Sequence, residues 1–299
     1  SALWKIYRLR DPFEFEGKDG FDICAWISEQ NWCNGEIGMF GGSYVGMVQW
    51  LILKEKPPAL KTIVPTATVC PGVDFPMQNN IFYTYNTQWL AFTLGQTLNR
   101  NVFVDSDYWN SIFAEMFIKH IPYANLDLIS GIGNDKNFQN WIKHDKFDDY
   151  YRNILPNSSD YSEMNIPILT ITGHFDDDQP GTLYYYGDFM NNASKEAKKN
   201  CYLVIGPWNH GGTRKPTKEH QNLVFGENSV LDMQELHLKW FNWVLKDSTD
   251  STWAKPAFLK NNVASYEMGF DEWRYAPSLE KLTNDDITFY LHSEKKKEI

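Results

Sequence analysis

Short apolar runs alternate with amphipathic segments along the first part of the chain. The spacing of apolar positions predicts, in chain order, a helix over 19–30, a strand over 36–41, a helix over 44–55 and a strand over 60–65. Asp19 stands near the start of the first helix, and Pro57 and Pro58 end the second. This α-β-α-β order is typical of a parallel sheet whose strands are joined by crossover helices.

The pattern changes between residues 70 and 160, where Asn and aromatic residues are frequent and no strand of the sheet type is predicted. Helices are predicted near 80–98 and 105–120, so we interpret this stretch as a helical insertion. The sheet pattern resumes with a strand over 166–173, a helix near 181–191, a strand over 201–207 and a helix over 228–246. Beyond residue 255 the architecture is predicted to change, with antiparallel strands over 256–263 and 287–293.

The stretch EIGMFGGSYVGMVQW (36–50) joins a predicted strand to a predicted helix through two glycines and Ser43. Glycines at such a tight turn avoid Cβ clashes and allow backbone angles that other residues avoid. This is the context of a nucleophile elbow, which lifts a serine hydroxyl out of the backbone above a parallel sheet. A structural turn with a chance serine is the alternative. Val45 stands where the usual G-x-S-x-G pattern has its second glycine, and Gly46 comes one position late.

Two further loops follow predicted strands at their C-terminal ends. They are GHFDDDQPG (173–181) and GPWNHGG (206–212). Catalytic groups of open α/β sheets gather at these strand ends. The three loops together supply Ser43, an aspartate and His210 in the chain order of α/β-hydrolases. A serine hydroxyl needs a base to take its proton, a histidine is suited to that task, and a carboxylate fixes the tautomer of the histidine.

Composition narrows the classes of partner. The 299 residues can bury a large core as one large domain or two smaller ones. The net charge of −10 argues against nucleic acid and anionic membranes as main partners.

No stretch approaches the ~20 apolar residues of a membrane span. The first residues lack the apolar region of a signal peptide, and the compartment, cytoplasmic or exported, stays open. No cofactor or metal is expected, because the run Asp176–Asp178 lacks the Gly and Glu spacing of a calcium loop.

The motifs resemble those of one known family. NWCNGEIGMFGGSYVGMVQW (31–50) is similar to the elbow region of the X-Pro dipeptidyl-peptidase/cocaine esterase family of α/β-hydrolases, in which the elbow reads G-x-S-Y-x-G. GHFD resembles the family's G-[WHL]-x-D loop, which implies that the acid is Asp176. GPWNHG resembles its G-P-W-x-H-G loop and implies that the base is His210. MGFDEWRYAP (268–277) looks like the entry into the family's C-terminal jelly-roll domain.

This resemblance implies a domain organisation and a reaction. Residues 1–69 and 161–250 would form an α/β-hydrolase core, 70–160 a helical cap, and 255–299 the start of a jelly-roll-like β domain. The family implies a serine hydrolase without a cofactor. It would cleave small acyl esters, amides or X-Pro peptides through an acyl-enzyme formed by Ser43, Asp176 and His210. The backbone N–H of Tyr44 would serve in the oxyanion hole.

The resemblance also suggests substrate contacts. Candidate walls of the acyl pocket in the cap are Phe82, Tyr83, Tyr85 and Trp89. The family's α-amino acid ester hydrolases bind a substrate ammonium with a carboxylate cluster, of which two members lie two and three positions after the triad acid. Those positions hold Asp178 and Gln179 here. The third acid falls near Met77, with Asp74 nearby, so the ammonium site is only partly matched.

The chain also departs from the family at both ends. Members have further strands, and a tyrosine that acts as an oxyanion donor, before the helix at 19–30. The strand at 36–41 would then have an open edge, which favours aggregation. We expect a fragment or a truncated reading frame whose edge is covered by its own N-terminus, a second copy or a separate chain. Two functions follow as hypotheses: an active serine hydrolase on small molecules, and a catalytically weak hydrolase-like domain that acts in binding or assembly.

Overall fold

The computed structural model describes residues 11–93, 101–246, 250–283 and 287–290. Its strands are β1 (Ile37–Ser43), β2 (Leu60–Thr68), β3 (Met77–Gln78), β4 (Ile81–Phe82), β5 (Ile168–Phe175), β6 (Cys201–Asn209), β7 (Glu219–His220), β8 (Leu223–Val224), β9 (Val263–Glu267) and β10 (Glu272–Ala276). Six of them form one sheet in the order β1-β2-β5-β6-β9-β10. Neighbours from β1 to β9 run parallel, and β10 pairs antiparallel with β9. The first four strands of this sheet confirm the strands predicted from the hydrophobic pattern.

The α-helices are α1 (Glu16–Ser28), α2 (Tyr44–Lys54), α3 (Tyr85–Thr93), α4 (Ser106–Ile118), α5 (Leu126–Ile129), α6 (Lys136–Lys143), α7 (Asp149–Ile154), α8 (Ser158–Glu163), α9 (Gln179–Asn192), α10 (Lys195–Lys199) and α11 (Met233–Leu245). They confirm the helices predicted between the strands of the sheet. None of the helices in the described part of the chain is long and apolar enough to cross a membrane.

Two clusters of buried side chains hold the helices against the sheet. In one cluster, Trp50 of α2 stacks on Tyr185 of α9 with ring centroids 5.3 Å apart and planes 4° apart. In the other cluster, the indole N–H of Trp240 in α11 donates to Thr62 Oγ1 of β2 at 2.9 Å. Because apolar side chains project from both faces of a parallel sheet, helices must cover both faces.

The segment between β2 and β5 is mainly helical, as the sequence predicted. The helix predicted near 80–98 begins only at Tyr85, because residues 81–82 pair in β4, and 94–98 lie outside the described residues. Among its described residues, the strands β3 and β4 form a two-stranded hairpin and none joins the main sheet. Four rings contributed by this segment and by the N-terminal turn pack together, with centroid distances of 5.4–6.4 Å. This aromatic cluster consists of Phe13, Phe75, Trp89 and Trp141. It ties residues 11–16 to the helical segment.

The C-terminal part differs from the prediction. The strand expected over 256–263 begins only at Val263, and β9 and β10 belong to the main sheet instead of a separate β domain. The reason is that β9 pairs parallel with the edge of β6, where Leu203, Val204 and Ile205 face Val263, Ala264 and Ser265. Residues 287–290 form no strand. The remainder of the strand expected over 287–293 lies outside the described residues.

The strand β1 lies at the edge of the described sheet, as the sequence predicted. It pairs with β2 on one side, and within the described ranges no strand pairs with its other side. The side chain of Phe40 is exposed there and contacts His237 and Phe241 of α11. A partner that covers this edge, whether a second copy or another chain, remains a prediction.

Candidate active site

Ser43 lies at a strained junction between β1 and α2. Its backbone has φ 64° and ψ −130°, a conformation that non-glycine residues rarely adopt, and α2 begins at the next residue. Such a conformation costs about 1–3 kcal/mol and is found mainly at functional sites. The late glycine of the motif has a packing reason. A Cβ at Gly46 would lie 2.7 Å from Thr68 Oγ1 and 3.0 Å from the carbonyl oxygen of Thr66, so glycine lets α2 pass close to β2.

The residue before the nucleophile candidate must also be small. A Cβ at Gly42 would lie 2.3 Å from Nη1 of Arg214 and 3.1 Å from the carbonyl oxygen of Thr66. The guanidinium of Arg214, from the loop that carries His210, therefore occupies the space beside this glycine. Gly46 thus leaves room for β2, and Gly42 leaves room for the loop that carries Arg214.

His210 follows β6, and its ring is held by the buried Asp176, which follows β5. The Nδ1 atom of His210 lies 2.9 Å from Asp176 Oδ1. The other carboxylate oxygen, Oδ2, accepts the hydroxyl proton of Thr172 at 2.8 Å. Asp176 Oδ1 also accepts the backbone N–H of Asp178 at 3.2 Å. The carboxylate is thereby fixed, and the Nε2 side of the imidazole is left for other chemistry.

The two other aspartates of the run lie further from the histidine. Asp177 Oδ1 is 3.7 Å from His210 Nδ1, and its side chain is 81% exposed, whereas the side chain of Asp176 has no exposed surface. Asp178 Oδ2 is 3.5 Å from the same nitrogen. Burial and distance therefore favour Asp176 as the partner of His210.

Burial and several acidic groups shift the pKa values of the ionisable side chains in the site. Burial lowers the pKa of His210, but the hydrogen bond with Asp176 and the charges of Asp178, Asp176 and Asp177 outweigh it, so this pKa is raised above its ordinary value of 6.5. Burial, with the charge of Asp74 next, raises the pKa of Asp178 well above its usual range. Burial also raises the pKa of Asp74 to about 8, although its carboxylate accepts the backbone N–H groups of Cys70 and Gly181.

A small cavity of about 90 Å³ joins these groups. It is lined by Ser43, Tyr44, Val69, Phe75, Tyr85, Trp89, Asp177, Asp178 and His210. The structure thus brings together the predicted residues Ser43, Tyr44, Tyr85, Trp89, Asp178 and His210. Within the part of the chain that the structure describes, Ser43 Oγ has no hydrogen-bond partner. Catalytic hydrogen bonds are often longer without substrate.

Two residues predicted as walls lie elsewhere. Phe82 stacks on Tyr123 with centroids 5.6 Å apart, and the hydroxyl of Tyr83 donates to Gln78 Oε1 at 2.8 Å; neither lines the cavity. The side-chain amide of Gln179 donates to the carbonyl oxygen of Gly173 and so stabilises the loop that carries Asp176.

Three lining residues, Val69, Phe75 and Asp177, were not singled out from the sequence as cavity walls. Val69 directly follows β2, so the end of a strand was the available signal for this residue, whereas Phe75 lies further along the loop.

The phenol of Tyr44 is held by two residues of the N-terminal turn and first helix. Its hydroxyl donates to Glu16 Oε1 and accepts the backbone N–H of Phe13 at 3.1 Å. Burial and the charge of Glu16 raise the pKa of the Tyr44 phenol, which keeps its proton. The backbone N–H of Tyr44 belongs to the first turn of α2, where amides have no acceptor within the helix. This geometry suits an oxyanion donor.

One group of side chains has the spacing of a metal site. One ligand atom each from Asp176, Asp177 and His210 lies within 4.8 Å of the others. A metal there would compete with the hydrogen bond between His210 Nδ1 and Asp176. These residues therefore fit hydrogen-bonded proton transfer better than metal binding.

A mostly parallel sheet covered by helices, with a serine at a strained strand-to-helix junction, defines an α/β-hydrolase fold. The family model of the X-Pro dipeptidyl-peptidase (S15) family matches residues 9–212, and the chain belongs to this family. It is 24% identical over 286 residues to cocaine esterase of Rhodococcus sp. (strain MB1 Bresler), a match that covers 88% of this chain and 46% of the relative.

Solved structures agree on the fold. An aminopeptidase from the marine sediment archaeon Thaumarchaeota archaeon matches with a TM-score of 0.67 at 21% identity, over 88% of this chain and 42% of that chain. An α-amino acid ester hydrolase matches with a TM-score of 0.68 at 19% identity, over the same shares. The chain thus spans less than half the length of these relatives.

Proposed function

We propose that this protein is a serine hydrolase that cleaves small acyl esters or amides through an acyl-enzyme. Ser43 acts as the nucleophile, His210 as the general base and acid, and Asp176 as the carboxylate that orients the imidazole. The observation that carries the proposal is the 2.9 Å contact between His210 Nδ1 and the buried Asp176, in a cavity that Ser43 also lines. Membership in a family of peptidases and esterases supports the same reaction class.

The residues divide the steps of the reaction between them. His210 takes the proton of Ser43 as the hydroxyl oxygen attacks the carbonyl carbon, and it later gives that proton to the leaving group. The negative charge that develops on the carbonyl oxygen is stabilised by the backbone N–H of Tyr44. Water then attacks the acyl-enzyme with His210 again as the base. We expect Asp178 to contact the substrate, because it lines the cavity.

The alternative is a catalytically weak domain that acts in binding or assembly. A fluorophosphonate probe distinguishes the two, because it forms a covalent bond only with an activated serine. We expect the native protein to be labelled, with peptide mass mapping that places the label on Ser43, and the heat-denatured protein to remain unlabelled. The Ser159→Ala variant is the matched control, because Ser159 is an exposed serine outside the cavity. A folded native protein that takes no label would favour the binding hypothesis.

The raised pKa of His210 predicts the pH dependence. The base must be neutral to take a proton from Ser43, so activity should rise with pH through the His210 pKa, with a midpoint above 6.5. Asp177→Asn removes one of the charges that raise this pKa, and the midpoint should move to lower pH. The measurement is kcat/KM for p-nitrophenyl acetate against pH, followed at the isosbestic wavelength of the product. An unchanged midpoint in the variant would contradict the electrostatic assignment.

A further inference from the structure

A second and larger cavity adjoins the one that contains Ser43. It has a volume of about 450 Å³, against about 90 Å³ for the cavity at Ser43. We call the smaller space the inner cavity and the larger one the outer chamber. Typical ligand sites measure roughly 300–1,000 Å³, so the inner cavity alone accommodates only a short group. The outer chamber falls within the usual range.

The two spaces share a wall. Tyr44 and Trp89 line both of them, and their ring centroids are 5.4 Å apart. The hydroxyl of Tyr44 is held by Glu16, which also lines the outer chamber. Trp89 contacts other rings of the aromatic cluster but makes no hydrogen bond among the described residues. We call the shared wall of Tyr44 and Trp89 the partition. Of its two residues, Trp89 is therefore the one held by ring contacts alone.

Apolar side chains form most of the surface of the outer chamber, although the carboxylates Asp11, Glu16 and Asp19 also line it. Its lining includes Pro12, Phe15, Val45, Leu90 and Phe92. Burying an alkyl chain against such a surface is favourable and raises the binding affinity about fourfold for each methylene. The chamber therefore suits an unbranched apolar chain that continues from the inner cavity.

The reaction decides which part of a substrate lies on this side. His210 must give a proton to the leaving group, so the leaving group lies near His210. The carbonyl oxygen lies at the N–H of Tyr44. With these two positions assigned, the acyl chain is left to the side of Tyr44 and Trp89, which line both spaces.

We propose that Trp89 limits the length of the acyl group, and that the outer chamber is a second subsite for medium-length apolar acyl chains. This inference rests on the proposed hydrolase function. In the wild type, Trp89 closes the passage and favours acetyl and butyryl groups. Loss of the indole joins the two spaces and admits longer chains.

The test compares p-nitrophenyl acetate, butyrate, hexanoate and octanoate. Wild-type kcat/KM should fall from butyrate to octanoate. In Trp89→Ala, the octanoate/acetate ratio of kcat/KM should rise at least tenfold, because two or more methylenes enter the chamber. Adding Val45→Phe in the Trp89→Ala background should reverse the gain, because Val45 lines only the outer chamber. Trp26→Ala, an exposed tryptophan outside both spaces, is the matched control and should keep the wild-type profile.

Binding to a protein without the nucleophile separates this inference from the proposed function. Hexanamide should bind Ser43→Ala/Trp89→Ala at least tenfold more tightly than Ser43→Ala by calorimetric titration. Trp89→Leu serves in place of Trp89→Ala if the latter does not fold. A folded Trp89 variant that hydrolyses acetate but keeps the wild-type chain-length profile would overturn the partition. If the wild type hydrolyses no ester, the proposed function fails, and equal hexanamide affinities would then overturn the partition as well.

Discussion

Replacing Ser43 by alanine should lower kcat for p-nitrophenyl acetate by about 10⁴–10⁶. The side chain sits on a backbone held at φ 64° where β1 meets α2, and it lines the same cavity as His210. Alanine removes the only atom that can form the acyl-enzyme there and leaves the backbone, the cavity walls and His210 in place. KM or the affinity for a product analogue should therefore change little. Stopped-assay kinetics with the purified variant measure the loss.

Two comparisons make this result specific. Ser159→Ala, which removes an exposed hydroxyl outside the cavity, should keep the wild-type rate. The thermal midpoint of Ser43→Ala should stay close to that of the wild type, because Ser43 Oγ makes no hydrogen bond in the described structure. Wild-type turnover in Ser43→Ala would mean that hydrolysis arises from another group on the protein.

Asp176→Asn should lower kcat by about 10⁴ while the fold persists. An asparagine keeps the shape of the side chain, and its oxygen can still accept the hydroxyl proton of Thr172. Its amide can present a donor to His210 Nδ1, which then favours the wrong tautomer. It also removes the charge that stabilises the imidazolium during proton transfer. The measurement is kcat at a pH where the wild type is on its plateau.

The neighbouring aspartate provides the control for that variant. Asp177 is 81% exposed and 3.7 Å from the same nitrogen, so Asp177→Asn should change plateau kcat by less than about threefold, because exposed charge pairs interact weakly. Equal losses in the two variants would assign the orienting role to the acidic run as a whole. A large loss in Asp177→Asn alone would contradict the assignment of Asp176.

Much of the candidate active site could be predicted because it follows local rules. The glycines around Ser43 indicate a sharp turn, and the apolar runs before each loop indicate buried parallel strands. Strands that run parallel end at one edge of the sheet, so residues after β1, β5 and β6 had to approach each other. The run Asp176–Asp178 left the acid open on spacing alone. The family resemblance selected Asp176, and the structure adds that this carboxylate is buried against Thr172.

Other features depended on packing between distant segments. Phe82, Tyr83 and Trp89 are similar in sequence context, yet only Trp89 faces the cavity, because the orientation of a helical insertion is set by ring contacts with residues such as Phe13. The sequence predicted antiparallel strands over 256–263 and 287–293 as part of a separate β domain, whereas the structure forms β9 and β10. They joined the main sheet because the edge of β6 was available for pairing.

The sequence by itself determined the strand-to-helix turn at Ser43, the order of the three candidate loops and the parallel core, since turn chemistry and hydrophobic period act over a few residues. The tertiary structure decided which aromatic side chains reach the cavity, how Glu16 fastens Tyr44, and that a second chamber lies behind Trp89. These depend on contacts between residues far apart in the chain, whose geometry no local pattern specifies.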